Sequence, residues 1–133
     1  MALSLEIVTP AQRVLTVQAE EVRLPGSKGG FGVRPGHTPF VASLEAGELI
    51  YLASGVTHHY AVGEGFAEVS EDRVRVLVEE ALRADEIDPA KALADLKALQ
   101  SELSNLKPDD PAYSQQRAGV ERAAARAVVA GRR

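Results

Sequence analysis

Apolar and polar residues alternate through residues 1–84, and the period then changes. Leu3-Ser4-Leu5-Glu6-Ile7 alternates strictly, and Arg73-Val74-Arg75-Val76-Leu77-Val78 sets Val74, Val76 and Val78 on one side. This is the period-two signature of half-buried strands. Similar runs predict strands over 13–17, 20–24, 47–53, 57–62 and 65–70. Turn signals separate them at Thr9-Pro10, Ala46-Gly47, Ser54-Gly55, Gly63-Glu64-Gly65 and Glu71-Asp72. Many short strands at close spacing indicate a β-sandwich or barrel. Five of the six aromatic residues fall in this half, where a sheet core would use them.

Past Ala84 the pattern is helical. Asp88-Pro89-Ala90 sets a capping acid before a first-turn proline, and Asp110-Pro111-Ala112 repeats the device. Leu96, Leu99, Leu103 and Leu106 follow at steps of three, four and three, which is one helical seam. Pro108 disfavours helical geometry at Lys107 and should end the first helix there. The second helix is expected over 111–130, with Gly131 as its stop. Its apolar positions are Tyr113, Val120, Val128, Val129 and many alanines, which favour helix but bury little area. The chain is therefore mainly β with a helical appendage: a sandwich or barrel over 1–84, then an antiparallel αα-hairpin over 85–133. A hairpin with one leucine seam and one alanine face has a thin core, and should dock elsewhere or change partners readily.

Composition narrows the chemistry. The 133 residues include no cysteine, which excludes disulfides and thiolate metal sites. No run approaches the ~20 apolar residues of a membrane span, and the first residues lack the pattern of a signal peptide. A net charge of −4 argues against nucleic acid as a partner. Charge is unevenly placed in the hairpin. Residues 85–110 are mostly acidic, whereas 111–133 hold Arg117, Arg122, Arg126, Arg132 and Arg133 against the single acid Glu121. Such segments can pair across a hairpin, face solvent, or meet a phosphate or an acidic partner.

Residues 25–39 concentrate five of eleven glycines and three of seven prolines. Such a stretch reads as a shaped loop held by turn chemistry, and long ordered loops are where binding usually sits. It does not read as a nucleotide loop. Lys28 comes too early for a Walker pattern, and Pro35 stands where a dinucleotide fingerprint needs glycine. His58 and His59 would face opposite sides of a strand and cannot share an ion. Acid pairs such as Glu20-Glu21, Glu71-Asp72, Glu79-Glu80 and Asp109-Asp110 read as solvated or capping groups. No catalytic or metal site is legible. On these residues alone, a stand-alone sandwich module using the glycine loop as its ligand site is the alternative reading.

The order of sandwich, loop and hairpin resembles the epsilon subunit of F-type ATP synthases over nearly the whole chain. The likeness runs through Val8-Thr9-Pro10, Leu24-Pro25-Gly26, Leu44-Glu45-Ala46-Gly47-Glu48-Leu49, Gly65-Phe66-Ala67-Glu68-Val69 and Val74-Arg75-Val76-Leu77. Its most specific part is Gly29-Gly30-Phe31-Gly32-Val33-Arg34-Pro35-Gly36-His37-Thr38-Pro39. The resemblance implies a non-catalytic rotor component of the proton-translocating complex, peripheral on the cytoplasmic face of the bacterial inner membrane. It implies that the sandwich binds the gamma subunit and the c-ring, with Gly29, Gly30, Phe31, Gly32, Val33, Arg34, Pro35, Gly36 and His37 as the interface loop. Membrane contact would come only through the c-ring. It also implies that the hairpin can extend toward the alpha/beta catalytic head and restrain ATP hydrolysis. Some members bind regulatory ATP on the hairpin. Here Asp88, Lys91, Arg122 and Arg126 are the candidates for ATP or the head, but Lys91 stands where that motif has arginine, and lysine lacks the planar fork. No other cofactor is implied.

Overall fold

The computed structural model describes residues 2–132. Ten strands form two five-stranded sheets: β1 (Leu3–Val8), β2 (Arg13–Ala19), β3 (Glu21–Leu24), β4 (Phe31–Val33), β5 (Phe40–Leu44), β6 (Gly47–Ala53), β7 (Val56–Val62), β8 (Gly65–Ser70), β9 (Arg73–Val78) and β10 (Ala81–Arg83). The first sheet has the order β2-β1-β9-β8-β5 and the second β10-β7-β6-β3-β4. All pairings are antiparallel except β1 with β9. The alternation explains the packing. Leu3, Leu5, Ile7, Val74, Val76 and Val78 point inward from the first sheet and meet Val22, Leu24, Leu49, Tyr51, Tyr60 and Val62 from the second. Apart from Tyr51 and Tyr60, no side chain with a polar group is buried among the described residues. The fold is a sandwich, one of the two architectures the pattern allows.

Two of the sequence-assigned turns hold two-residue hairpins with left-handed backbone, Ser54 (φ 52) with Gly55 (φ 75), and Glu71 (φ 52) with Asp72 (φ 58). Left-handed pairs match the twist of the flanking strands. The strands β4, β5 and β10 carry too few alternating positions to be read from sequence. Of these, β4 corrects the reading of residues 25–39. Phe31–Val33 is an edge strand, Val22 facing Val33 and Leu24 facing Phe31, so part of this stretch is held by a ladder. Few residues suffice because an edge strand needs only one partner.

After a 3-10 turn at Ala84–Glu86 come α1 (Pro89–Ser104) and α2 (Tyr113–Ala130). Asp88 caps α1, its carboxylate accepting the N–H of Ala90 at 3.0 Å and of Lys91 at 3.3 Å. The helix stops before Lys107-Pro108. Asn105 closes it, with its N–H on the carbonyls of Glu102 and Leu103, and Ser104 Oγ donates to the Ser101 carbonyl at 2.7 Å. Side-chain competition of this kind weakens a helix end. The second helix also begins later than expected. Asp110 accepts the N–H of Ala112 at 2.8 Å and shapes the lead-in turn, so Pro111 and Ala112 precede the helix.

The hairpin is as thinly packed as its composition implies: Leu96, Leu99, Leu103 and Leu106 are only half-buried. Its best-buried surface faces the sandwich. Ala92, Ala125, Val129 and Ala130 pack with Ala61 and Ile87 against the outer face of the second sheet. The hairpin lies docked.

Candidate functional site

Strand β4 divides the glycine-rich stretch into two turns at opposite ends of the sandwich. Residues 25–30 form the β3–β4 hairpin turn, bridged to β5 by Gly26 and Leu44. The crossing 34–39 leads from the edge of the second sheet to the edge of the first, beside the β8–β9 turn. The structure therefore does not gather the nine loop residues into one surface. Gly29 and Gly30 are exposed in the first turn, and Val33 is wholly buried in the core. Phe31 packs edge-on against Phe40, ring centroids 5.3 Å apart, while Gly32 lies exposed between them in sequence. A side chain at Gly26 would collide with the Gly29 carbonyl 2.6 Å away, so this turn requires glycine there.

In the crossing, Arg34 Nε reaches Glu21 at 3.4 Å, Pro35 is half-buried and Gly36 has φ 87. His37 Nδ1 lies 2.8 Å from the Thr38 carbonyl, and its ring rests on Phe40 at 4.9 Å. The Gly36 N–H donates to Asp72 at 2.6 Å.

The outer face of the first sheet continues from this crossing. Register sets Ser43, Phe66, Leu77 and Val8 in one row across four strands. Val41 and Glu68 belong to the next row, with Arg75 and Glu6. Phe66 is 57% and Val41 70% exposed. Sequence reading missed this face. Its legible signal was a phenylalanine in the polar phase of Gly65–Ser70, where Glu68 and Ser70 are its companions.

The four hairpin candidates are engaged in two groups, Asp88 with Lys91 at the start of α1 and Arg122 with Arg126 at the sandwich. Asp88 caps α1, and Lys91 Nζ pairs with Asp95 at 2.8 Å. Arg122 Nη1 contacts both Glu64 oxygens at 2.8 and 3.1 Å, and Arg126 Nη1 both Glu80 oxygens at 2.8 and 3.0 Å. Arg132 adds a pair to Glu48 at 2.9 Å, and Glu48 also meets His59 Nδ1 at 2.9 Å. The basic helix thus pairs with sandwich carboxylates more than with the acidic first helix. Glu80, read from sequence as a solvated or capping acid, is instead an interface anchor. Spacing could not reveal this, because the partners come from strand ends far away in the chain.

His58 and His59 take opposite faces of β7. His58 stacks on Tyr51 at 4.6 Å and 15°, while His59 faces the hairpin side. Burial raises the phenol pKa of Tyr51 and of Tyr60, with the Arg83 charge acting in the opposite sense at both.

The family model for the ATP synthase delta/epsilon chain beta-sandwich domain matches residues 2–84. The ATP synthase epsilon chain of Anaeromyxobacter dehalogenans strain 2CP-1 is 52% identical over 132 residues, covering 99% of this chain and all of that one. The chain belongs to the ATP synthase epsilon-chain family. Another epsilon chain, from Citrifermentans bemidjiense, is 46% identical over 98% of this chain and 94% of its own length. The hairpin lies outside the family-model match but within both epsilon-chain alignments. Among solved structures, a chain of the Euglena gracilis mitochondrial ATP synthase superposes with a TM-score of 0.82 at 22% identity. That match covers 99% of this chain and 82% of the Euglena chain. One from the central stalk and c-ring of the Tetrahymena thermophila enzyme gives 0.63 at 14% identity, over 98% and 96%. These likenesses bear on the fold. Epsilon chains are non-catalytic subunits of the ATP synthase, and among the described residues no helix is long and apolar enough to cross a membrane.

Proposed function

We propose that this epsilon chain is a central-stalk subunit whose sandwich binds gamma and the c-ring, and whose hairpin restrains ATP hydrolysis. The observation that carries this reading is the contrast between the two outer sheet faces. The second sheet's face is covered over β6 and β7 by the chain's own hairpin, whereas the first sheet presents Phe66 and Val41 exposed, with Val8 and Leu77 half-buried beside Phe66. Exposed apolar surface of this kind marks an interaction site. Gamma docks there, with the crossing 34–39 bordering its Val41 end and the Phe66 row lying toward the 25–30 turn. The glycine turn at 25–30, at the opposite end, approaches the c-ring: Gly29 and Gly30 carry no side chains to hold a partner away. The chain then sits peripherally on the cytoplasmic face of the bacterial inner membrane, reached through the ring.

The hairpin contributes the regulation. Its interface with the sandwich is mostly alanine, with little apolar area, and the Arg–Glu pairs at its rim are partly solvated. Such an interface opens at modest cost. Released, Arg122 and Arg126 are free to meet acidic surfaces of the catalytic head. Nucleotide binding is not part of this reading, since Asp88 and Lys91 are engaged at the start of α1, and Arg122 and Arg126 by Glu64 and Glu80 of the sandwich.

Binding of purified gamma to the full chain and to its Phe66→Asp and Val41→Asp variants tests the docking face. Loss of binding with an unchanged melting temperature is expected. Parent-like affinity in both variants would move the gamma surface elsewhere.

A further inference from the structure

We propose that Asp72 is the positioning residue for the Arg34–His37 crossing. Asp72 stands in a two-residue turn with left-handed backbone, φ 52 at Glu71 and 58 at Asp72. Turns of this geometry favour Asn-Gly or Asp-Gly, because a side chain at positive φ is disfavoured. The matching β6–β7 turn follows that rule, with Gly55 at its second position. The β8–β9 turn has Glu71 and Asp72 instead; aspartate tolerates left-handed backbone, but less freely than glycine.

What aspartate adds is its carboxylate. Oδ1 accepts the Gly36 N–H at 2.6 Å across 36 positions of sequence. A carboxylate receiving a backbone N–H is a charge-assisted bond, stronger than a neutral one. The crossing has few other ties. Within it, the His37 N–H reaches the Arg34 carbonyl at 3.2 Å, and the link to Glu21 is a long 3.4 Å. The anchor itself is fixed, since the Asp72 carbonyl accepts the Ser4 N–H at 2.8 Å and joins the turn to the start of β1. Gly36 needs its own left-handed backbone, φ 87, to present this N–H. Asp72 thus holds the bend that carries the chain from Arg34, beside Glu21 of β3 in the second sheet, to His37 at the edge of the first. This inference rests on the reading that the crossing borders the gamma surface.

Two variants of the full chain test it. In Asp72→Gly the turn gains its preferred residue while the tether is lost. The melting temperature should be equal or higher, while Gly36 amide exchange accelerates about tenfold and gamma affinity falls about fivefold or more. In Asp72→Asn the amide oxygen still accepts and asparagine tolerates positive φ. Exchange and affinity should then lie between those of the parent and of Asp72→Gly. Unchanged Gly36 exchange in Asp72→Gly would overturn the tether. Faster exchange with unchanged gamma affinity would overturn the positioning role alone. Gamma docking itself is judged separately, by Phe66→Asp in the same assay.

Discussion

Arg122 and Glu64 meet across 58 positions of sequence, one guanidinium nitrogen lying 2.8 and 3.1 Å from the two carboxylate oxygens. Four residues on, Arg126 repeats the contact with Glu80. One helical turn separates the two arginines, so a single face of α2 presents both to the strand ends of the sandwich. The hairpin is held by a row of ion pairs over a small alanine interface.

Docking should therefore respond to salt. Partly exposed pairs contribute at most ~1 kcal/mol each and are screened over about 8 Å at physiological ionic strength. Hydrogen exchange of the α2 amides should quicken between low and high salt, and should do so already at low salt in Glu64→Gln/Glu80→Gln. Core amides in β1 and β9 should not follow. Salt-independent exchange in α2 would mean that the alanine contacts alone hold the hairpin.

The sandwich should fold without the hairpin. Its core draws on both sheets and on no residue after Ala81, so a chain ending at Arg83 should melt in one cooperative transition. Uncovering Ala61 and Leu82 should lower its midpoint by only a few degrees, the effect of about 1 kcal/mol in a domain of this size. Calorimetry showing a broad, non-cooperative melt would overturn the independence of the two parts.

Alkaline pH should weaken the fold through Tyr51 and Tyr60. Burial raises both phenol pKa values in the folded state above the unfolded value of about 10. Above that pH the folded state holds the extra proton, so stability falls as pH rises. Below it the effect is absent. Melting temperatures measured across this range should fall less steeply in a Tyr51→Phe/Tyr60→Phe double variant. Parallel curves would assign alkaline loss to other groups.

The strand periods, the turns at Ser54-Gly55 and Glu71-Asp72, and the Asp88 cap were legible because each is written in neighbouring residues. The short strands β4, β5 and β10 were not: β4 and β10 have three residues each, and Phe40-Val41-Ala42-Ser43-Leu44 does not alternate strictly. That hid the division of residues 25–39 into two turns at opposite ends. Pairings across long separations were equally invisible: Arg122 with Glu64, Arg126 with Glu80 and Gly36 with Asp72 all depend on the assembled sheets. The charge contrast within the hairpin was plain in sequence, but its use was not, because the compensating acids sit in strand connections.

The most direct measurement is ATP hydrolysis by the catalytic complex reconstituted with three forms of this chain. If latching to Glu64 and Glu80 restrains a braking hairpin, Glu64→Gln/Glu80→Gln should lower hydrolysis relative to the parent. The chain ending at Arg83 should raise it above both. Equal rates for all three forms, with each shown to be bound to gamma, would contradict the regulatory role of the hairpin.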